Sequence, residues 1–486
     1  MAPVMGRGLY GLRPIDVMDP DDAEKIHINS LHLLETMGIK VVSSEALRLL
    51  KEAGADVDEE SKIASIPSDL VLAAIKKCKR PVRLCARDPK NDLVLDGKHC
   101  HICTDGTGLS TIDIETGERR ASKKKDVGDS ARIVDYLEMM NMYYPLVTPL
   151  DVPKHAHTLH EFDAAFNNCA KHIISGATYL KEEAQYELKM AAAVAGGEKE
   201  LKRRPLVSAV TCTTSPMVLG MTTDVAIEFV RAGCPPMMMT MPLIGATSPM
   251  SVAGAVLVGN AQVLALTTVC QLAAPGSPVC YSTEPMAMDV QSGLFEGLFP
   301  AANMVRAAHV QMARYYKIPI FVGGWGSCSK VPDAQAAYEK ALSAFLYYLS
   351  GTDITSGPGL LENWTVLSYE QLLIDYEMYT MMLDMLKGIR VDDNTMALDV
   401  IKSVGQEGHF LGKKHTLDNF RSMWQPIVTD GQTYDNWRAA GSKTAVDNAK
   451  SKAIDILKKH SPIPLPDDVK KEFGDIIKEG EERIPH

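Results

Sequence analysis

Hydrophobic residues recur through the middle of the chain in short, near-continuous runs, and most of these runs are followed by a segment with helical spacing. Such runs are typical of parallel strands buried on both faces. Eight occur, at residues 101–105, 142–148, 172–176, 206–212, 237–241, 278–282, 319–323 and 353–356. Eightfold alternation of strand and helix predicts an α/β fold, a TIM (β/α)₈ barrel. The main rival is an open doubly wound sheet.

The pattern also predicts how the chain is divided. Residues 1–97 form a helical N-terminal extension, residues 98–365 the barrel, and residues 366–486 a helical C-terminal extension. No GxGxxG or GxxxxGK[ST] motif follows any of the eight runs, which weakens the nucleotide-binding form of the rival fold.

One segment, residues 252–274, has no charge and is long enough to cross a bilayer. It is interrupted by Asn260, Gln262 and Gln271 and lies between two strand-like runs. We therefore expect a buried helix, or one covered by a second subunit of a homo-oligomer, and no membrane association. The first residues, MAPVMGRGLYGLRP, lack the cationic start and apolar core of a secretory signal.

Composition narrows the functional class. The net charge of −10 argues against a nucleic-acid partner, because such proteins present a basic surface. The ten cysteines are scattered without a disulfide framework, which favours a reducing cytoplasm.

Candidate site residues follow from the barrel prediction, because barrel enzymes bind ligands where the strands end. The candidates near strand ends are Asp105, Thr107, Thr213, Ser215, Glu284, Trp325, Gly326, Ser356, Glu362 and Trp364, with His172 at the start of the third run. Many of these residue types are also common in turns and helix caps. Trp325 is equally a candidate for core packing, and His172 for a hydrogen-bonded interior imidazole.

The chemical character of these residues favours binding over hydrolysis. They offer indoles, hydroxyls and one or two acids, without a nucleophile elbow or a glycosidase-like carboxylate pair. An aromatic face attracts a cation that cannot hydrogen-bond, so a quaternary ammonium group fits this set. The His/Cys clusters at 99–103 (HCHIC) and 155–160 (HAHTLH) lack the second ligand pair of a zinc site, and no metal is predicted.

Several motifs resemble one known family. They are SKVPDAQA at 329–336, GPGLLE at 357–362 and WRAAGSK at 437–443, together with GTG at 106–108 and TSP at 214–216. In their order along the chain, and over nearly its whole length, these motifs resemble those of the trimethylamine methyltransferase family. The resemblance implies a TIM-barrel enzyme that moves a methyl group from an amine to the cobalt of a corrinoid. The chain itself would bind no cofactor, because a cognate partner protein would supply the corrinoid (cobalamin).

One departure from the family is informative. The position that carries pyrrolysine in the trimethylamine enzymes falls on Gly326, and the chain therefore resembles the branch that demethylates quaternary amines such as glycine betaine. For such a substrate we expect Trp325 and Trp364 to face the trimethylammonium group, Glu284 or Asp105 to add negative potential, and Gly326 to leave the space that the pyrrolysine side chain fills elsewhere. The hydroxyls of residues 213–215, among them Thr213 and Ser215, or nearby backbone N–H groups would bind the substrate carboxylate.

The expected chemistry needs little from the protein beyond positioning. A quaternary nitrogen already carries its positive charge, so a neutral amine can leave directly and no general base is essential. Two alternatives stay open: a tertiary-amine methyltransferase that works without pyrrolysine, and a betaine-binding protein without catalytic activity.

Overall fold

A closed barrel of eight parallel strands forms the centre of the protein. The structure, a computed structural model, describes residues 13–296 and 300–485. Residues 1–12, where no secretory signal is expected, lie outside the described residues. The barrel strands follow one another in chain order and are β6 (His101–Cys103), β9 (Met142–Tyr143), β10 (His172–Ser175), β11 (Val207–Cys212), β13 (Pro236–Thr240), β15 (Cys280–Thr283), β18 (Ile320–Val322) and β19 (Ile354–Ser356). Each overlaps one predicted run, so the TIM barrel is confirmed and the open sheet is wrong.

Helices connect the strands and surround the barrel. They are α4 (Lys124–Tyr136), α5 (His157–Asn168), α6 (Lys181–Ala195), α7 (Glu198–Arg203), α8 (Thr222–Ala232), α9 (Val252–Ala273), α10 (Pro300–Tyr316), α11 (Ala334–Ser350) and α12 (Tyr369–Leu386). Several begin at the cap that their sequence predicts. Asp333, for example, accepts a hydrogen bond from the backbone N–H of Ala336 and so starts α11.

The N-terminal extension combines helices with a small sheet. Its helices are α1 (Pro20–Thr36), α2 (Ser44–Glu52) and α3 (Ser68–Lys77), and its strands are β1 (Ile39–Val41), β2 (Asp56–Asp58) and β3 (Ile63–Ser65). These strands form a four-stranded sheet with β12 (Val218–Leu219), which follows barrel strand β11. The extension is thereby joined to the barrel by backbone hydrogen bonds.

The uncharged helix α9 is buried inside the protein. Among the described residues it is the one helix long and apolar enough to cross a membrane, and 72% of its most apolar window is buried. Its polar residues have partners on neighbouring elements: Asn260 donates to Ser30 of α1, and Gln262 accepts from Ser215 and Thr240. The prediction of a buried helix is confirmed, and the covering comes from the same chain.

A hairpin closes the amino end of the barrel. Strands β4 (Val82–Leu84) and β5 (Leu93–Leu95) pair antiparallel, and their apolar side chains pack with the barrel interior. Arg80, just before β4, forms a 2.6 Å salt bridge with Asp353, which is completely buried at the start of β19.

Two small sheets belong to the connections that leave the carboxyl ends of the strands. One contains β14 (Leu243–Ile244), β16 (Met286–Met288) and β17 (Phe295–Glu296). The other contains β7 (Ser110–Ile112), β8 (Arg119–Ala121), β20 (Leu360–Leu361) and β21 (Val366–Leu367). They flank the end of the barrel at which ligands bind in this fold.

The C-terminal extension is helical, as predicted. It contains α13 (Asp393–Met396), α14 (Leu398–Val404), α15 (Lys414–Asn419), α16 (Tyr434–Ala439), α17 (Ala445–Lys459) and α18 (Asp467–Arg483). Helix α17 packs against α12 and α4, and α18 packs against α6.

Candidate active site

Strand alternation brings two carboxylates into the carboxyl end of the barrel. Cys103 and Cys280 belong to the apolar barrel interior. Side chains two or four residues further along a strand point to the same side. Asp105 therefore follows Cys103 inward from β6, and Glu284 follows Cys280 inward from β15.

Both carboxyl groups are buried, with Asp105 2% and Glu284 8% exposed. Burial raises the pKa of Glu284 well above its usual value, and the negative charge of Asp105 raises it further. Burial likewise raises the pKa of Asp105, although hydrogen bonds from Ser356 and from the backbone of Gly106 oppose the shift. The pair consequently holds protons to a higher pH than exposed carboxyl groups do.

The two carboxylates differ in their hydrogen bonds. Asp105 accepts from Ser356 Oγ at 2.9 Å and from the Gly106 N–H at 3.0 Å. Within residues 13–296 and 300–485, no donor reaches the Glu284 carboxylate. A buried carboxylate without a donor is costly, so Glu284 is the group at this end that a cationic ligand would stabilise.

Besides Lys340, which acts on Asp105, the buried cation that acts on both carboxyl groups is Arg306 of α10. Its Nε donates to the Gly323 carbonyl at 3.0 Å and its Nη1 to Asn303 Oδ1 at 3.2 Å. Its charge lowers the pKa of both carboxyl groups, but burial has the larger effect on each. Arg306 therefore fastens the end of β18 and offsets part of the negative charge.

The indole of Trp364 lies close to the Glu284 carboxylate. A β-carbon placed on Gly324 would be 2.5 Å from Cζ2 of Trp364 and 2.8 Å from Oε1 of Glu284. One placed on Gly326 would be 2.6 Å from the same indole carbon. Gly324 and Gly326 thus permit the close approach of the indole, and Trp364 and Glu284 meet over Gly324.

The backbone that carries Trp364 is in an unfavourable conformation. Glu362, Asn363 and Trp364 form the turn between β20 and β21, and their φ angles are +48°, +50° and +66°. Three consecutive residues other than glycine in the left-handed region store strain, which concentrates at functional sites. The turn is held by hydrogen bonds of 2.8 Å from the N–H of Glu362 to Ser329 O and from the N–H of Asn363 to Ser327 O.

Of the predicted site residues, the structure brings Asp105, Glu284, Ser356 and Trp364 together. Ser356 Oγ connects two segments at the carboxyl end of the barrel, here called the barrel mouth. It donates to Asp105 and lies 3.4 Å from the backbone N of Gly324. Thr107 is half-buried, two residues beyond Asp105 on the same connection.

Trp325 is placed elsewhere. It is 0% exposed, and a β-carbon on Gly357 would be 2.6 Å from its Cγ, so no room is left for a ligand beside it. The backbone reverses at Gly324, whose φ of +81° ends the alternation of β18. Trp325 therefore packs in the core, as its alternative interpretation held. The expected free space above Gly326 is filled by the Trp364 indole.

Four other candidates point away from the carboxylate pair. Thr213 and Ser215 donate to Met239 O and to Gln262 of α9, so their hydroxyls face outward from the barrel. Glu362 pairs with Arg119 at the surface. His172, at the amino end of β10, contacts Cys85 O at 2.8 Å and Ser208 Oγ at 2.9 Å. In this structure the side chains of these four residues have their partners away from the carboxylate pair.

Two residues of the mouth were missed. Tyr144 follows Met142 inward from β9 and is packed against Gly106 and Gly176, where β-carbons would lie 2.4 Å and 1.8 Å from its ring. Cys212 ends β11 and is half-buried on the same inward side as Val210. The charges of Asp105 and Glu284 affect the pKa of Tyr144, which burial raises well above its usual value. Counting every second residue along the predicted strands would have found both.

Among the described residues, no three His, Cys, Asp or Glu side chains are arranged to hold a metal ion. In the first predicted cluster, His99 contacts Asp96 at 2.9 Å and His101 contacts Val94 O at 3.2 Å.

One family of known proteins matches almost the whole chain. The family described as trimethylamine methyltransferase (MTTB) matches residues 7–485. The chain belongs to the trimethylamine methyltransferase family. The resemblance seen in the motifs is confirmed, and the protein is a methyltransferase of this family.

Individual relatives extend over the whole chain. Trimethylamine methyltransferase MttB of Desulfitobacterium hafniense is 37% identical over 483 residues, covering 99% of this chain and 96% of that protein. MttB of Methanosarcina barkeri is 31% identical, covering 95% and 94%. A glycine betaine methyltransferase of D. hafniense is 29% identical, covering 87% and 88%.

A solved structure shares the fold. The monomethylamine methyltransferase MtmB of M. barkeri aligns with a TM-score of 0.52 at 13% sequence identity, covering 97% of this chain and 96% of that one. This likeness supports the barrel with its extensions.

Proposed function

We propose that this member of the family takes a methyl group from a quaternary ammonium compound, with glycine betaine as the first candidate, and transfers it to a corrinoid protein. The observation that carries the proposal is the Glu284 carboxylate. It is buried, it lacks a donor among the described residues, and it lies against the Trp364 indole. A permanent cation would supply the missing positive charge.

The combination favours a cation. An indole attracts a cation through its ring quadrupole, and a nearby carboxylate adds a charge that water does not screen. Trp364 Nε1 is buried and has no acceptor among the described residues. The ring face and the carboxylate suit a trimethylammonium head.

Position 326 argues against the chemistry of the pyrrolysine enzymes. The residue there is glycine, and the indole of Trp364 occupies the space that a side chain would need. A quaternary ammonium substrate needs no activation of this kind, because its nitrogen leaves as a neutral amine. The relatives include a glycine betaine methyltransferase at 29% identity as well as a trimethylamine methyltransferase at 37%.

The electron balance is simple. The reduced cobalt of the corrinoid, a substrate carried by the partner protein, supplies the electron pair that bonds the methyl carbon, while the pair of the broken C–N bond leaves with the nitrogen. Glu284, Asp105 and Trp364 would bind the cation and fix its orientation. Catalysis then rests on positioning and on exclusion of water.

The test is an anaerobic assay with a purified cognate corrinoid protein reduced to Co(I), followed by its visible spectrum. Glycine betaine, other betaines and trimethylamine are compared as donors. We expect methylation with a quaternary donor and none with trimethylamine. Turnover of trimethylamine alone would support the tertiary-amine alternative, and binding of glycine betaine without any spectral change would support a non-catalytic binding protein.

A further inference from the structure

Two adjacent tyrosines at the end of β9 differ in what their hydroxyl groups contact. Tyr143 points outward, where its hydroxyl donates to Val127 O at 2.8 Å and lies 2.9 Å from Ser130 Oγ of α4. Tyr144 points into the barrel, and its hydrogen bonds are those of its backbone with Thr104. Within residues 13–296 and 300–485, the Tyr144 hydroxyl therefore has no hydrogen-bond partner.

The Tyr144 hydroxyl is open to a ligand. A buried phenol usually finds a hydrogen-bond partner, because desolvation of an unpaired hydroxyl costs free energy. Tyr144 is 6% exposed and its hydroxyl is not fully enclosed, whereas the unpaired hydroxyls of Tyr348 and Tyr379 are enclosed in the core. The accessible part of Tyr144 therefore includes its hydroxyl, at the end of the barrel where ligands bind.

Two glycines fix the position of this phenol ring. A β-carbon on Gly106 would lie 2.4 Å from Cε2 of Tyr144, and one on Gly176 would lie 1.8 Å from the same atom and 2.2 Å from the hydroxyl oxygen. Gly106 and Gly176 follow β6 and β10, the strands on either side of β9. The ring therefore fills space that only glycine leaves, and its hydroxyl lies over the end of β10.

The inward-facing residues at the barrel mouth form two chemically different halves. Along β15, β18, β19 and β6, which are neighbours in the barrel, they include both acids: Glu284, Gly323, Ser356 and Asp105. Along β9, β10, β11 and β13 they include no acid: Tyr144, Gly176, Cys212 and Met241. A thiol is a weak donor and a thioether is none, and Ser356 already donates to Asp105. Of these eight described residues, Tyr144 alone therefore offers a strong side-chain donor without a partner.

The charge of the two halves determines how a betaine would lie across the barrel mouth. The carboxylates of Glu284 and Asp105 attract an ammonium group and repel a carboxylate. Trp364 lies on the Glu284 side and offers its ring to the cation. The carboxylate of the same molecule is then directed to the half without acids, where Tyr144 lies. Burial, followed by the charges of Asp105 and Glu284, raises the pKa of Tyr144 well above its usual value, so the phenol and the two acids share one site.

We infer that the Tyr144 hydroxyl donates a hydrogen bond to the carboxylate of the substrate and so selects betaines over quaternary amines that lack a carboxylate. Tyr144 thereby takes the role expected of Thr213 and Ser215, whose hydroxyls face away from the carboxylate pair. This role rests on the proposed function, in which a quaternary ammonium compound binds at Glu284. It adds the group that recognises the anionic end of that compound.

Calorimetric titration of the full chain with two ligands tests this role. Glycine betaine carries a trimethylammonium group and a carboxylate, whereas tetramethylammonium carries the cation alone. Tyr144→Phe keeps the ring and removes the hydroxyl, and it should weaken binding of glycine betaine about 10-fold, because a hydrogen bond to a charged group has an effect of this order. Its affinity for tetramethylammonium should stay unchanged. The ratio of the two affinities within one variant does not depend on how much of the protein is folded.

Tyr143→Phe is the matched control. It removes the contacts with Val127 and Ser130, so it should lower the melting temperature and leave the ratio of the two affinities unchanged. Tyr144→Phe removes a hydroxyl without a partner and should keep the wild-type melting temperature. An unchanged affinity of this variant for glycine betaine, or an equal loss for both ligands, would overturn the role of the hydroxyl and leave the proposed function standing. If the wild-type protein bound neither ligand, the proposed function would fail together with this role.

Discussion

The two ends of the barrel both contain a buried carboxylate, and they treat it in opposite ways. At the amino end, Asp353 accepts from Arg80 at 2.6 Å, from the N–H of Gly97 at 2.8 Å and from the N–H of Ile320 at 3.0 Å. At the carboxyl end, no donor within the described parts of the chain reaches the carboxylate of Glu284.

The two buried carboxylates differ in how far the fold compensates their charge. A buried charge is tolerated when partners within the fold compensate its lost hydration. Burial raises the pKa of Asp353 too, but Arg80 and the two N–H groups oppose the shift. For Glu284 only Arg306 opposes it, and the like charge of Asp105 adds to it. The amino end therefore stabilises the barrel, whereas at the carboxyl end the compensation would have to come from the proposed cationic substrate.

The largest expected effect is on the free energy of unfolding, from a substitution at the amino end of the barrel. Asp353→Asn leaves Arg80 without its counter-ion inside the barrel and should lower the free energy of unfolding by about 3 kcal/mol. Urea denaturation measures this loss. The affinity of the folded fraction for substrate should stay unchanged, and a variant that lost affinity but kept its stability would contradict the division between the two ends.

Glu284→Gln should lower activity without lowering stability. Removal of the charge facing the substrate is expected to lower kcat/KM about 100-fold, or ~3 kcal/mol. Stability should not fall. Because the raised pKa keeps Glu284 protonated in the folded state while the unfolded chain ionises, wild-type stability declines as pH rises above the ordinary carboxyl range, and the glutamine variant escapes this decline.

The matched control for Glu284→Gln is Glu362→Gln. Glu362 forms a partly exposed ion pair with Arg119, and such pairs contribute ~1 kcal/mol or less. Its kcat/KM should change by no more than about threefold. Equal losses in the two variants would remove Glu284 from the site.

The two tryptophans allow a smaller comparison. Trp364→Leu should weaken substrate binding about tenfold, since a partly desolvated cation–π contact contributes ~1–2 kcal/mol. Trp325→Leu should instead lower the melting temperature, because Trp325 is wholly buried against Gly357. Calorimetric titration and thermal melts distinguish the two. Loss of affinity in the Trp325 variant alone would reverse their roles.

The smallest effect concerns pH. Protonation of the Asp105–Glu284 pair removes the charge that attracts the substrate, so a bound cation must displace a proton. Both pKa values are raised, and binding should therefore tighten as pH rises above the ordinary carboxyl range and level off once the pair is ionised. Dissociation constants of a betaine over a pH series measure this. The dependence should vanish in a Glu284→Gln, Asp105→Asn double variant.

Much of the site was predictable from local pattern. Asp105 and Glu284 come directly after apolar runs that can only be buried strands, and the structure places both in the barrel mouth. Trp325 was expected at the ligand site, but strand periodicity does not extend that far. The chain reverses at Gly324, where φ is +81°. The positions of Thr213 and Ser215 could not be predicted, because their hydrogen-bond acceptors, Met239 O and Gln262 Oε1, lie 26 and 47 residues away in the chain.

The sequence by itself determined the eight strands, the helices between them and the two acids at strand ends, since these depend on hydrophobic periodicity over a few residues. Only the tertiary structure decided that Trp364, which belongs to a turn 80 residues after Glu284, lies on that carboxylate. Likewise, only the fold showed that Arg80 neutralises Asp353, 273 residues away. Closure of the barrel places distant strand ends together, and neither the spacing of residues nor their chemistry carries that information until the ring of strands is complete.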